Sequence, residues 1–190
     1  MMKRLAIGGA MVLIAALLGI GSAWLALRMA PGAVVNGAWR TDLTIGSAGA
    51  DPYTRARVAI GGLFALNRSE TVYFAARTDD DGQKLSGACT YRITGTALPA
   101  RWWSITAYGT DHFLIPNAPG RYSFNMKSVE PDAAGAFEVT ASGGEQPGHW
   151  LPTGPEGFEL TLRLYNPAAE VAAHPDQLAL PHIKRQGDCR

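Results

Sequence analysis

The hydrophobic pattern changes period twice along the chain, and each regime predicts a different element. From Leu5 to Leu27 run 23 residues without a charge. As a helix they rise roughly 34 Å, enough for a hydrocarbon core of about 30 Å with some tilt. A soluble core helix would keep a polar face, and this run has none. Lys3 and Arg4 precede it and Arg28 follows. The positive-inside bias favours a cytoplasmic N-terminus, by a small margin once Arg28 and Arg40 are counted. Trp24 lies near the far end, where an indole can sit among headgroups. The alternative is a cleaved signal peptide, with Gly21-Ser22-Ala23 as the cleavage site, although its apolar stretch is ordinarily about 7–15 residues. Length favours a retained anchor over residues 1–28.

Residues 29–50 are rich in Gly, Ala and Ser and read as a stalk, with Trp39 already touching the domain beyond. A flexible stalk of about 20 residues has an r.m.s. reach of roughly 25 Å. Asp51-Pro52 then has the form of a helix start, an Asp N-cap followed by Pro at the first helical position. Ala56, Ile60, Leu63 and Phe64 follow at helical spacing, predicting one amphipathic helix to about Leu66. Gly61-Gly62 weakens it or lets it lie close to a sheet.

After that the period is two. Strands are predicted over Thr71–Ala76, Cys89–Thr94, Trp102–Tyr108, Phe113–Ile115, Arg121–Asn125, Phe137–Ser142 and Phe158–Tyr165, with turns at Asp79–Gly82 and Pro116–Gly120. The last is the clearest: Phe158, Leu160, Leu162 and Leu164 alternate with Glu159, Thr161, Arg163 and Tyr165. Such spacing predicts a mainly β domain over residues 51–190, an antiparallel sandwich or jelly roll with one accessory helix.

Composition agrees with many turns and short strands: 22 Gly, 12 Pro and 17 aromatic residues (five Trp, six Tyr, six Phe), with 17% charged residues. A net charge of +1 without any run of Lys or Arg disfavours nucleic acid as a partner.

Several stretches resemble the bacterial domain-of-unknown-function 1214 family. They are Arg101-Trp-Trp-Ser-Ile-Thr-Ala-Tyr108, Phe113-Leu-Ile-Pro-Asn117, Arg121-Tyr-Ser123, His149-Trp-Leu-Pro152 and Leu160-Thr-Leu-Arg-Leu-Tyr-Asn-Pro167. The Asp79–Gly87 stretch, of the form Asp-Gly-x-x-Leu-x-Gly, belongs with them, and the likeness runs from about Gly37 to the C-terminus. In larger relatives this domain follows a 1254 domain; here it stands alone behind an anchor. The resemblance implies a β-sandwich-like fold and an envelope setting. It hands over no reaction and no catalytic residue.

Chemistry-bearing residues are sparse. Cys89 and Cys189 are the only cysteines, and an exported domain sits where disulfides persist. Bridged, they would close a loop of about 100 residues and staple a Pro-containing tail, 175–190, that has little strand or helix character; the alternative is a buried Cys89 and a free terminal thiol. His112, His149, His174 and His182 show no metal-ligand spacing, so no metal or cofactor is expected. Loop histidines such as His112 and His149 are more often solvated or turn-capping than catalytic. No Gly-x-Ser-x-Gly occurs. Glu138 and Glu159 alternate with apolar residues, the pattern of a solvated sheet face.

The best candidate surface is aromatic and polar together. Trp102, Ser104, Thr106 and Tyr108 share one face of their strand, and Arg163 and Tyr165 share the polar side of theirs with Thr161. Arg121 and the His149-Trp150 loop are expected to join them. Flat rings beside hydrogen-bonding groups suit a sugar or an amphipathic small molecule, although Trp and Tyr are also good strand formers. Two functions follow. The first is a membrane-anchored, periplasm-facing binding or accessory module meeting a glycan, lipid or envelope protein at the bacterial inner membrane. The second is a hydrolase-like enzyme using Asp111, Glu145 and His149.

Overall fold

The computed structural model describes residues 2–29 and 32–189. The apolar run forms helix α1 (Met2–Arg28). It is long and apolar enough to cross a membrane, and no part of its apolar window is buried against the rest of the chain. An anchor and a signal sequence both fit such a helix. At its end the Arg28 guanidinium lies 3.8 Å from the Trp24 ring centroid, a cation over an aromatic face.

Part of the stretch expected to be a stalk, residues 34–41, instead lies in the sheet. It forms strands β1 (Val34–Asn36) and β2 (Trp39–Thr41), joined through Gly37 at φ 59°. Trp39 is only 1% exposed, and its indole donates to the Pro181 carbonyl at 2.7 Å. Three-residue strands carry too little alternation to show a period, so here the ladder partners decide the conformation.

Helix α2 (Pro52–Ile60) starts as expected, with the Asp51 side chain accepting from the Tyr53 and Thr54 amides. The Thr54 hydroxyl also donates to it, and this bond is the leading cause of an Asp51 carboxyl held below its ordinary value; the two amides and Arg57 lower it further, against desolvation. The helix ends at Gly61, not near Leu66, because Gly62 takes a left-handed φ of 62°.

The remaining strands are β3 (Thr71–Ala76), β4 (Thr90–Gly95), β5 (Ala100–Gly109), β6 (Ser123–Asn125), β7 (Phe137–Ser142), β8 (Trp150–Pro152), β9 (Phe158–Pro167) and β10 (His182–Gln186), with a one-turn helix α3 (Ala169–Ala173) before the last. They form two sheets, ordered β1-β2-β3-β9-β5-β6 and β10-β4-β7-β8. All pairs are antiparallel except β7 with β8, which makes the smaller sheet mixed. Phe113–Ile115, expected as a strand, is a loop touching β5 through a single bridge, Tyr108 to Leu114, and Phe113 is 73% exposed.

One core serves both sheets. The apolar side of β9 (Phe158, Leu160, Leu162, Leu164) is fully buried. Trp103 of β5 stacks on Phe137 of β7 at 4.5 Å between centroids, and Tyr91 of β4 meets Phe158 edge-on at 5.7 Å. Turns close tightly against one another: a Cβ on Gly87 would stand 1.8 Å from the Gly154 carbonyl oxygen.

The C-terminal tail is ordered into β10 along β4. Asp80 accepts from the Ile183 amide and from His182 Nδ1, Asn36 donates to the Pro175 and Leu178 carbonyls, and Cys89 is disulfide-bonded to Cys189. Only Ile183 in that strand is a large apolar residue facing the core, which is why its sequence shows so little strand pattern.

Candidate functional site

The outward face of the larger sheet follows from register, since directly paired residues share a face. Trp102 pairs with Tyr165, Ser104 with Arg163, Thr106 with Thr161 and Tyr108 with Glu159. On the other side of β9, Thr71, Tyr73 and Ala75 pair with Tyr165, Arg163 and Thr161. The alternation that buries Leu160, Leu162 and Leu164 therefore gathers these polar and aromatic side chains on one surface.

Arg163 is the centre of that surface. Instead of standing over its own row, its guanidinium leans along β5. Nη1 donates to Thr106 Oγ1 at 3.2 Å and Nη2 to the Tyr108 phenol at 2.8 Å. The group lies 5.9 Å from the Tyr73 ring centroid and 5.4 Å from that of Tyr108. Among the described residues no carboxylate comes within 4.0 Å of it. At the aromatic end, Lys127 Nζ lies 6.0 Å from the Trp102 ring. Thr71, 1% exposed and paired with Tyr165, has a hydroxyl without a hydrogen-bond partner among the described residues.

At the other end lies a second cluster that the alternation pattern does not reveal. Glu159, only 8% exposed, accepts from Arg77 Nε at 2.7 Å and from His112 Nδ1 at 2.8 Å. His112 holds a left-handed φ of 69°, a conformation a non-glycine residue keeps only when its surroundings fix it. Nδ1 is engaged by the carboxylate, and Nε2 makes no hydrogen bond among the described residues. The pair is 47 residues apart in sequence; the one local sign is Asp111-His112 in a turn at the end of an aromatic strand.

The remaining candidates gather elsewhere. Arg121 donates to the Trp150 carbonyl at 3.1 Å and lies over Phe124, against which His149 packs edge-on. Phe124 pairs with Ile105 on the buried side of β5, so Arg121, His149 and Trp150 do not join the outward face. The Trp150 indole is spent on the Ser142 carbonyl and His149 Nδ1 on that of Glu138. Asp111 accepts from the Phe113 amide as a turn former, and Glu145 is exposed; among the described residues these two and His149 share no hydrogen bond or ion pair. Among the described residues no group of His, Cys, Asp and Glu is arranged to hold a metal ion. A shallow cleft of about 530 Å³ beside Leu98, Pro99, Glu170 and His174 holds none of the outward-face residues.

Fold and site together define a mainly β, two-sheet domain behind an apolar helix of membrane-spanning length, with an arginine–tyrosine surface on its larger sheet. The family model described as "Protein of unknown function (DUF1214)" matches residues 70–169, from the edge of β3 into α3. The chain belongs to that family. The match is narrower than the likeness expected from Gly37 onward, and it leaves α1, α2, β1, β2 and β10 outside while containing Tyr73, Tyr108, Glu159 and Arg163. Two solved structures are similar. The VPA0106 protein from Vibrio parahaemolyticus aligns at 24% identity with a TM-score of 0.62, covering 73% of this chain and 36% of that one. An uncharacterized protein from Burkholderia cenocepacia aligns at 18% identity with a TM-score of 0.43, covering 86% of this chain and 38% of that one. The first likeness shows the fold. The chain spans little more than a third of the length of either protein. No curated protein matches it.

Proposed function

We propose that this is a single-pass protein of the bacterial envelope, its N-terminus cytoplasmic and its two-sheet sandwich periplasmic, that binds a glycan or amphipathic small molecule bearing an acidic group. The observation carrying this reading is Arg163: a half-buried guanidinium held between two tyrosine rings, with no carboxylate within 4.0 Å among the described residues. A positive charge partly withdrawn from water is costly without a counter-charge, and an anionic ligand supplies one with directed N–H bonds. Trp102 and Tyr165 offer rings beside it on the same face of the sheet. The apolar helix and the Cys89–Cys189 bridge support the envelope setting, since disulfides persist outside the reducing cytoplasm.

The test is titration of the detergent-solubilised full chain with acidic and neutral oligosaccharides and with acidic and neutral amphiphiles, followed by calorimetry. Preference for the acidic members, lost in Arg163→Gln, supports the reading. Equal response to acidic and neutral members, or binding unchanged in Arg163→Gln, removes it.

A second reading, a hydrolase-like enzyme, draws support from the His112–Glu159 pair rather than from Asp111, Glu145 and His149. A carboxylate that fixes one imidazole nitrogen and frees the other is the arrangement of an oriented general base. Hydrolysis of envelope esters or glycosides that disappears in His112→Asn and Glu159→Gln supports it; activity equal in all three proteins removes it.

A further inference from the structure

Helix α2 is joined to the end of the span. Arg57 Nη1 donates to the carbonyls of Met29 at 2.8 Å and Ala26 at 3.3 Å, at the C-terminal end of α1. Where α1 leaves a bilayer, α2 therefore lies at the level of the headgroups. At its end and just beyond, the chain exposes apolar side chains that a water-facing surface does not need: Ile60 is 69% exposed and Phe64 95%. From Pro52 to Ser69 there is no acidic residue, whereas Arg55 and Arg68 are basic; Arg57, with Asp42 at 3.9 Å, is taken up inside the fold. Large apolar groups and basic side chains on a short segment are what an anionic bilayer surface takes up.

We propose that α2 and the segment through Leu66 dock on the surface of the bilayer that α1 crosses, with Ile60 and Phe64 seated among the lipid headgroups. The proposal rests on α1 spanning, as in the reading above. The docked segment is a second membrane contact, and it sets the orientation of the β domain as well as its height. It is also tied to the arginine–tyrosine surface, because the Leu66 amide donates to the Tyr73 phenol at 2.9 Å.

Because both native cysteines are bridged, a cysteine placed at 64 can be labelled alone. Full-length Phe64→Cys carrying an environment-sensitive fluorophore is reconstituted in phosphatidylethanolamine–phosphatidylglycerol vesicles, with Glu145→Cys as the water-exposed reference. Docking predicts that the label at 64 is quenched severalfold less by aqueous iodide than the label at 145, and is quenched by lipids doxyl-labelled near the headgroup. A chain that fails to float with the vesicles overturns the span and this proposal with it. Flotation with a label at 64 as open to iodide as the label at 145 overturns the docking alone. Shielding from iodide without doxyl quenching also overturns it, in favour of a second copy of the chain covering the patch. Phe64→Asp gives an independent measure: docking predicts that the Tyr53 and Ile60 amides lose hydrogen-exchange protection in vesicles but not in detergent, and unchanged protection in vesicles overturns it.

Discussion

Arg163 reaches past its register partner Ser104 to donate to the phenol of Tyr108, four residues further along β5, at 2.8 Å. The bond turns a flexible side chain into a fixed one, and it fixes the direction in which the unused N–H groups point. Tyr108→Phe keeps the ring and removes only the acceptor. Its expected cost is about 0.5–1.5 kcal/mol in urea unfolding, with faster rotation of the Arg163 guanidinium in nitrogen-15 relaxation. Arg163→Lys is expected to abolish the fixed geometry, since an ammonium lacks the planar fork. Unchanged guanidinium rotation in Tyr108→Phe would show that the bond does not hold the group.

Glu159 joins Arg77 and His112, and is nearly buried. Removing it as Glu159→Ala leaves two donors without their shared acceptor. A loss of about 1.5–3 kcal/mol is expected, the range for hydrogen bonds to a charged group. His112→Gly behaves differently, because losing the bond is offset by relief of the left-handed φ at 69°. Thermal unfolding should place Glu159→Ala well below the parent and His112→Gly close to it. The reverse order would mean that the imidazole, not the carboxylate, holds this corner.

The two ends of this outward face are legible in the sequence to different degrees. Tyr108, Thr106 and Arg163 fall on polar sides of strands whose partners are Leu, Ile and Trp, so period two alone places them together. Glu159 obeys the same period, and for that reason resembles an ordinary solvated residue. What makes it unusual is His112, which arrives from a turn with a backbone angle that no alternation encodes. Strands β1, β2 and β10 are hidden for a related reason. Each is three to five residues long, and each is a strand because a neighbour offers it a ladder: β2 for β1, β3 for β2 and β4 for β10. Phe113–Ile115 shows the converse, an apolar run left in a loop because it finds only one bridge.

Gly87 faces the Gly154 carbonyl so closely that any Cβ collides with backbone. Gly87→Ala must therefore push two turns apart. About 1–3 kcal/mol of destabilisation is expected from such overpacking, seen as a lower urea midpoint with unchanged slope. A neutral effect would mean that the turn around Gly87 shifts freely.

The bridge between Cys89 and Cys189 closes a separation of 100 residues. In the chain-entropy model a loop of that size contributes up to about 4.7 kcal/mol. Cys189→Ser is expected to lower the unfolding midpoint substantially, and reductant should lower the parent's midpoint while leaving the variant's unchanged. Alkylation of two thiols in the unreduced, denatured parent would show that no bridge forms.

The Asp51 cap predicts a pH dependence of known sign. Its carboxyl is held below the ordinary value in the folded protein, first by the Thr54 hydroxyl. The stabilisation is therefore complete above the unfolded value and is lost as pH falls through the folded one. The Tyr53 and Thr54 amide shifts should titrate together with a midpoint below that of a free aspartate. Asp51→Asn, which still caps, should remove the titration. A midpoint at or above the free value contradicts the cap.

Five residues separate Arg28 from Val34, so the chain linking the span to β1 can extend only about 20 Å. Tension from the membrane reaches β1 first, an edge strand whose bonds to β2 would peel one pair at a time. It then meets Asn36 and Trp39, both fastened to carbonyls of the C-terminal tail. That tail is welded covalently to the base of β4. Mechanical load thus runs from the anchor through the tail and the bridge into the smaller sheet. A second branch runs through the β2–β3 and β3–β9 ladders toward the strand that carries Arg163.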